Sequence, residues 1–159
     1  MRHVAVLGST GSIGTSGLDV IAAHPERLAV AALAGGRNRD LLEAQCRRFR
    51  PRLVSVQEEA DARWLAGRLG TEVRWGAEGL LACVLEAEAD TVLAGVVGAA
   101  GLAGVEAALR TGRRACVANK ESLVLGGELM TRARAAGGGE LLPVDSEHAA
   151  LHQLLAGRP

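Results

Sequence analysis

The chain has 159 residues, 48% of them hydrophobic, with 18 basic side chains against 18 acidic and a formal net charge of zero. That is enough to bury about 70% of the unfolded surface in one domain; the balanced charge and the scarcity of rings (one Phe, two Trp, no Tyr) argue against nucleic acid, which asks for a basic face and stacking platforms. The first apolar run is only Val4 to Leu7 and no later one approaches a membrane span, so neither membrane nor export is expected and a cytoplasmic location is.

The run Val4-Ala5-Val6-Leu7 predicts a strand over 3–7. It passes directly into Gly8-Ser9-Thr10-Gly11-Ser12-Ile13-Gly14, which opens a helix over 12–24. A strand, a glycine turn and a helix start form a phosphate cradle. Gly8 allows the tight turn, Gly11 lets the backbone approach a pyrophosphate, and Gly14 allows close helix–strand packing. The anion is stabilised by N–H groups and the positive end of the helix dipole, without a charged side chain. The spacing is GxxGxxG rather than GxGxxG, and among 21 glycines such a triplet alone is weak; its place after the first strand favours a nucleotide over a simple turn.

The next strand, 28–34, reads Leu28-Ala29-Val30-Ala31-Ala32-Leu33, apolar on both faces as a helix-covered parallel sheet requires. Ala34-Gly35-Gly36-Arg37-Asn38-Arg39 follows. An NADH-selective domain carries Asp or Glu at this place for the ribose hydroxyls. Here there is none, and Arg37 can pair bidentately with a 2′-phosphate beside Gly36, so NADPH is favoured over NADH. The plain alternative is a solvated loop arginine. A helix over 38–49 closes on Arg47-Arg48-Phe49-Arg50, cations at the negative end of its dipole. Strands over 52–56 and 72–75 alternate with helices over 58–69 and 77–88, and a strand over 91–97 leads to a helix over 99–112. Cys46, Cys83 and Cys116 are far apart, odd in number and without CxxC spacing, and read as small buried hydrophobes.

A strand over 114–118 and a helix over 121–136 flank Cys116-Val117-Ala118-Asn119-Lys120-Glu121-Ser122. Arg occurs 17 times and Lys once, at Lys120; the only asparagines, Asn38 and Asn119, both fall at C-terminal strand ends, the edge where doubly wound folds bind ligands. A compact ammonium there suits a phosphate or carbonyl oxygen; a surface residue at a helix start is the alternative. Ala135 to Gly139 resembles a linker but more simply ends one helix before a strand over 140–144. Then comes Leu142-Pro143-Val144-Asp145-Ser146-Glu147-His148 and a helix over 146–156. Asp145 and Glu147, two apart, can offer both carboxylates to one hard ion, Mg²⁺ or Mn²⁺. Equally, Asp145 can be a helix N-cap with Ser146 and Glu147 in the first turn. His148 and His152 lack a third metal ligand and read as ordinary helix histidines. Strands alternating with helices throughout predict an α/β fold: a doubly wound, Rossmann-like, mostly parallel sheet with helices on both faces.

Gly8 to Gly14, Val97-Gly98-Ala99-Ala100-Gly101, Ala118-Asn119-Lys120-Glu121-Ser122-Leu123-Val124 and Pro143 to His148, in that order, resemble the 1-deoxy-D-xylulose 5-phosphate reductoisomerase family over nearly the whole chain. The resemblance implies an NADPH-dependent enzyme of the non-mevalonate isoprenoid pathway. It rearranges 1-deoxy-D-xylulose 5-phosphate, then reduces the resulting aldehyde to 2-C-methyl-D-erythritol 4-phosphate. Implied NADPH contacts are Thr10, Gly11, Ser12, Ile13, Gly36, Arg37, Asn38, Asn119 and Glu121. Lys120, Ser146 and Glu147 are implied to meet substrate, with Lys120 and Glu147 catalytic, and Asp145 and Glu147 to hold Mg²⁺ or Mn²⁺. A homodimer of the full-length protein is also implied. Ala149 and His152 depart from the small polar and aromatic residues frequent in the family and bear on packing rather than on ligands. Family members continue through a further metal-binding glutamate, a phosphate grip, a lid and a C-terminal helical domain. The expectation is therefore an amino-terminal part, inactive alone, with an NADPH-binding domain over 1–144 and the start of the catalytic region over 145–159. Two other readings stand beside it: a non-catalytic NADPH-binding module, and an aspartate-semialdehyde-type dehydrogenase, which shares the GxTGxxG start but needs a catalytic cysteine.

Overall fold

The computed structural model of the chain describes residues 1–96, 98–118 and 120–157, and of residues 99, 100 and 120–125 the backbone alone. Strand and helix alternate from end to end: β1 (Arg2–Leu7), α1 (Ser12–Ala23), β2 (Leu28–Ala34), α2 (Arg39–Phe49), β3 (Leu53–Val56), α3 (Glu59–Leu69), β4 (Arg74–Trp75), α4 (Gly76–Leu85), β5 (Thr91–Ala94), α5 (Ala99–Arg110), β6 (Arg114–Val117), α6 (Lys120–Gly137), β7 (Glu140–Pro143) and α7 (Ser146–Ala156). The strands make one sheet in the order β4-β3-β2-β1-β5-β6-β7, and all six pairings are parallel. From β1 the chain winds outward to β4, then crosses to the other side of β1 and winds outward again to β7. The boundary between β1 and β5 is thus the topological switch point, where the helices after neighbouring strands diverge and leave a crevice.

Side-chain alternation within the strands builds two cores. Val4 and Val6 of β1 face α1, α2 and α3, where they meet Leu18, Leu42 and Leu65. Ala5 and Leu7 face the opposite way, toward Val84 of α4, Leu109 of α5 and Met130 of α6. This two-sided burial is why β1, β2 and β5 read as continuous apolar runs. On the second face the sheet presents many alanines, and the helices come close: a Cβ on Gly79 of α4 would stand 2.9 Å from Arg74 Cβ, and one on Gly104 of α5 would stand 2.8 Å from Leu7 Cδ1.

Three expected boundaries shift. The strand expected over 91–97 ends at Ala94, because after Gly95 N–H donates to Leu7 O the chain leaves the sheet and Gly95 and Val96 turn toward a cleft. The strand over 72–75 contracts to Arg74 and Trp75 at the sheet edge, and the helix after it starts at Gly76 and stops at Leu85. Ala135 to Gly139 ends α6 before β7, as expected: Gly138 has φ +72°, and a Cβ on Gly139 would stand 2.5 Å from Leu109 Cα.

Candidate functional site

The β1–α1 loop is folded back on itself and tied to β2. Gly8 and Ser9 N–H both donate to Ala34 O, at 2.8 and 2.9 Å, and Gly11 N–H donates to Gly8 O at 3.0 Å. Gly8 takes φ +81°, and a Cβ there would meet Gly95 backbone at 3.0 Å. A Cβ on Gly14 would clash with Gly8 O and come within 2.5 Å of Ser9 Cα. The sequence expectation for Gly14 is thereby refined: it lets α1 close onto the turn itself, while the glycine of α1 that meets the sheet is Gly17, against Leu93. Gly11, the N-cap of α1, has no side chain to satisfy the first-turn N–H groups, so these and the positive helix end remain available to an anion. Thr10 Oγ1 accepts from Gly36 N–H at 3.4 Å, which joins this loop to the one after β2.

Beside the loop lies a cleft of about 550 Å³ at the C-terminal edge of the sheet, next to the switch point. Gly8, Thr10 and Gly11 form one wall, Gly35 and Gly36 follow β2, and Ser55, Gln57, Gly76, Ala77 and Leu80 close it from β3 and α4. The size suits a small-molecule cofactor, and the glycines leave volume that a Cβ would take; at Gly36 nothing lies within 4 Å of where one would stand. Arg37 and Asn38 come next. Asn38 caps α2, its Oδ1 accepting from Leu41 N–H at 3.1 Å. The exposed Arg37 guanidinium has no hydrogen bond or ion pair among the described residues, whereas Arg39 pairs with Asp61 at 3.0 Å and Arg47 with Glu43 at 2.7 Å. The structure thus brings Thr10, Gly11, Gly36, Arg37 and Asn38 to one edge, with Ser12 and Ile13 in the first turn of α1 beside them.

Asn119 and the side chains of Lys120 and Glu121 lie outside the described residues. The backbone of Lys120 opens α6 after β6, and Asp145 follows β7, so both motifs sit at the same C-terminal sheet edge as the glycine loop. β7 is three strands from β1, about 14 Å at roughly 4.8 Å per strand. Asp145 is the N-cap of α7: its Oδ1 accepts from His148 N–H at 2.9 Å, and the His148 ring Nδ1 lies 2.8 Å from it. The His148 backbone N–H above all, with the ring after it, holds the Asp145 carboxyl below the usual carboxylate range. Ser146 Oγ donates to Glu147 Oε2 at 2.9 Å. The helix-cap alternative is therefore what the geometry shows, and capping leaves the hard-oxygen chemistry of Asp145 and Glu147 compatible with Mg²⁺ or Mn²⁺. Among the described residues no three His, Cys, Asp or Glu cluster as a ready metal site.

Cys46 and Cys83 are buried, and burial pushes each thiol up to about 12; burial raises Cys116 as well. Burial thus disfavours the thiolate at all three, which counts against the dehydrogenase alternative. Sequence reading missed the α4 wall of the cleft and also Gln45, whose Nε2 donates to Ser9 O at 2.8 Å. The first carries no chemical signature. The second was visible as the one amide in the apolar stripe Leu42, Gln45, Cys46, Phe49 of α2.

A family described as 1-deoxy-D-xylulose 5-phosphate reductoisomerase matches residues 4–127. The protein of that name from Anaeromyxobacter sp. (strain K) is 50% identical over 159 residues, covering 99% of this chain and 41% of its own length. A crystal structure of DOX-P reductoisomerase in complex with NADPH, fosmidomycin and magnesium superposes with a TM-score of 0.91 at 38% identity, over 96% of this chain and 38% of that one. The reductoisomerase from Zymomonas mobilis in complex with NADPH gives 0.84 at 39% identity, over 92% and 39%. The chain spans about 41% of the length of the curated relatives it matches. The glycine cradle at the switch point, the all-parallel sheet and these matches agree: the chain belongs to the 1-deoxy-D-xylulose 5-phosphate reductoisomerase family.

Proposed function

We propose that these residues are the NADPH-binding part of a 1-deoxy-D-xylulose 5-phosphate reductoisomerase, with 1–144 as the cofactor domain and 145–159 as the start of the metal-binding region. The observation that carries this is the cleft beside the β1/β5 switch point, walled by Gly8, Thr10 and Gly11 and leading past Gly36 to Arg37, which has no hydrogen bond or ion pair among the described residues. The pyrophosphate lies against Thr10, Gly11, Ser12 and Ile13, where backbone N–H groups and the α1 dipole meet it. Gly36, Arg37 and Asn38 take the 2′-phosphate, Arg37 by a bidentate pair. Asn119 and Glu121 complete the cofactor contacts by family resemblance.

Bound NADPH supplies the hydride that reduces the aldehyde, and the protein supplies its placement. By family resemblance, Lys120, Ser146 and Glu147 receive the phosphorylated sugar, Lys120 supplying a positive charge for the reacting oxygens. Asp145 and Glu147 would hold a magnesium or manganese ion as Lewis acid, with His148 fixing the carboxylate of Asp145. The whole protein is a cytoplasmic homodimer with no nucleic-acid or membrane partner; no described helix is long and apolar enough to cross a membrane. Thermal unfolding tests the cofactor assignment. NADPH at 100 times its dissociation constant is expected to add about 2.7 kcal/mol of stability, and an unchanged melting temperature at saturating NADPH rejects the assignment.

A further inference from the structure

We infer that Gln45 is a positioning residue for the phosphate loop: by holding the Ser9 carbonyl toward α2 it aims the Thr10 N–H into the cleft, at the pyrophosphate. The inference rests on the cofactor reading above. Gln45 is only 6% exposed and Ser9 is fully buried, and they meet across 36 residues of sequence through the Nε2 to O bond of 2.8 Å. The Ser9–Thr10 peptide is trans, like every described peptide in the chain, so its carbonyl and its N–H point in opposite directions. With the oxygen anchored on α2, the Thr10 N–H is turned to the side where Thr10 lines the cleft.

The rest of the loop makes this N–H stand out. Gly8 and Ser9 spend theirs on Ala34 O, and Gly11 spends its own on Gly8 O; that of Thr10 has no acceptor among the described residues. Packing alone does not account for an amide at position 45. Its Oε1 is buried without a partner among the described residues, a cost that Met or Leu in the same apolar stripe avoids. The amide is kept where its single bond fixes the orientation of the peptide that meets the ligand. The same helix is capped by Asn38, which Arg37 directly precedes, so α2 links the Ser9–Thr10 peptide to the loop proposed for the 2′-phosphate.

The test is a titration of the ¹⁵N-labelled chain with NADPH, followed amide by amide, in the unmutated protein, Gln45→Met and Gln45→Glu. Met matches Gln in length but donates nothing, and Glu keeps the length and polarity but loses the amide N–H donor. In the unmutated chain the Thr10 amide is expected to be among the resonances that move furthest. In either folded variant the dissociation constant rises about tenfold and the Thr10 shift shrinks, with amides remote from the loop unchanged. NADPH that moves no amide of the unmutated chain overturns the cofactor reading and this inference with it. NADPH that binds the unmutated chain but leaves the Thr10 amide in place, or binds the variants equally well, overturns the role of Gln45 alone.

Discussion

At the scale of single residues, the site is built more by what is absent than by what is present. Gly14 has no room for a methyl group, since one would press on Gly8 and Ser9 backbone, whereas the space around Gly36 is open. Gly14→Ala is expected to destabilise the chain by about 1–3 kcal/mol through overpacking and to weaken NADPH binding, while Gly36→Ala leaves the stability within about 0.5 kcal/mol of the original; paired thermal melts check both. In the proposed cofactor site, Arg37 carries the charge-based discrimination. Arg37→Glu is expected to invert the preference for NADPH over NADH, because one charged hydrogen-bonded pair is worth about 1.5–3 kcal/mol, or roughly 10- to 100-fold in affinity. Nucleotide fluorescence titration reads the inversion, and an Arg37→Glu chain that still favours NADPH removes Arg37 from the 2′-phosphate site.

At the scale of elements, α2 and α3 are tied together by a charged cluster. Glu43 is buried on α2 and accepts from Arg68 of α3 and from Arg47 one turn along, while Trp64 lies between the guanidiniums of Arg39 and Arg68 at 4.4 and 4.8 Å. Arg68 first, then Arg47, hold the Glu43 carboxyl below its ordinary value of 4.5. A carboxyl depressed in the folded state stabilises fully above its unfolded value, and that contribution is lost as pH falls through the folded one. Glu43→Gln is therefore expected to lower stability at pH 7 and to flatten the acid limb below about pH 4.5. Denaturant melts from pH 3 to 7 check this, and parallel curves for the two proteins contradict it.

The elements also show how far the sequence reads. β1, α1 and β2 were legible because their apolar runs and the glycine turn obey local rules. The strand over 91–97 was read too long because hydropathy cannot tell a Val paired in a sheet from Val96, which faces a cleft. Gly76 and Ala77 wall that cleft without any chemical mark, and their role arises only from the return of α4 over β3. For Asp145 the sequence left cap and metal ligand open, and the backbone shows the cap.

At the scale of the whole molecule, the proposed function makes these residues a cofactor platform and part of a catalytic site. Two carboxylates leave most of a six-oxygen shell to water, so Mn²⁺ is expected to bind weakly, and more weakly still in an Asp145→Ala, Glu147→Ala double mutant; water-proton relaxation that finds tight binding, or binding unaffected by the double mutant, rejects the site. α7 leaves Leu151, Leu154 and Leu155 exposed, and Ser146 and Glu147 at its start are exposed as well. Rearrangement needs substrate held within about half an ångström of a productive pose and shielded from water. Residues 1–159 are thus expected to consume no NADPH with 1-deoxy-D-xylulose 5-phosphate and Mn²⁺, and absorbance-monitored turnover by the purified chain shows otherwise. The most direct test of the account is calorimetric titration of the unmutated chain with NADPH and with NADH. It predicts one site, with NADPH at least about tenfold tighter; equal affinities, or no heat with either nucleotide, contradict it.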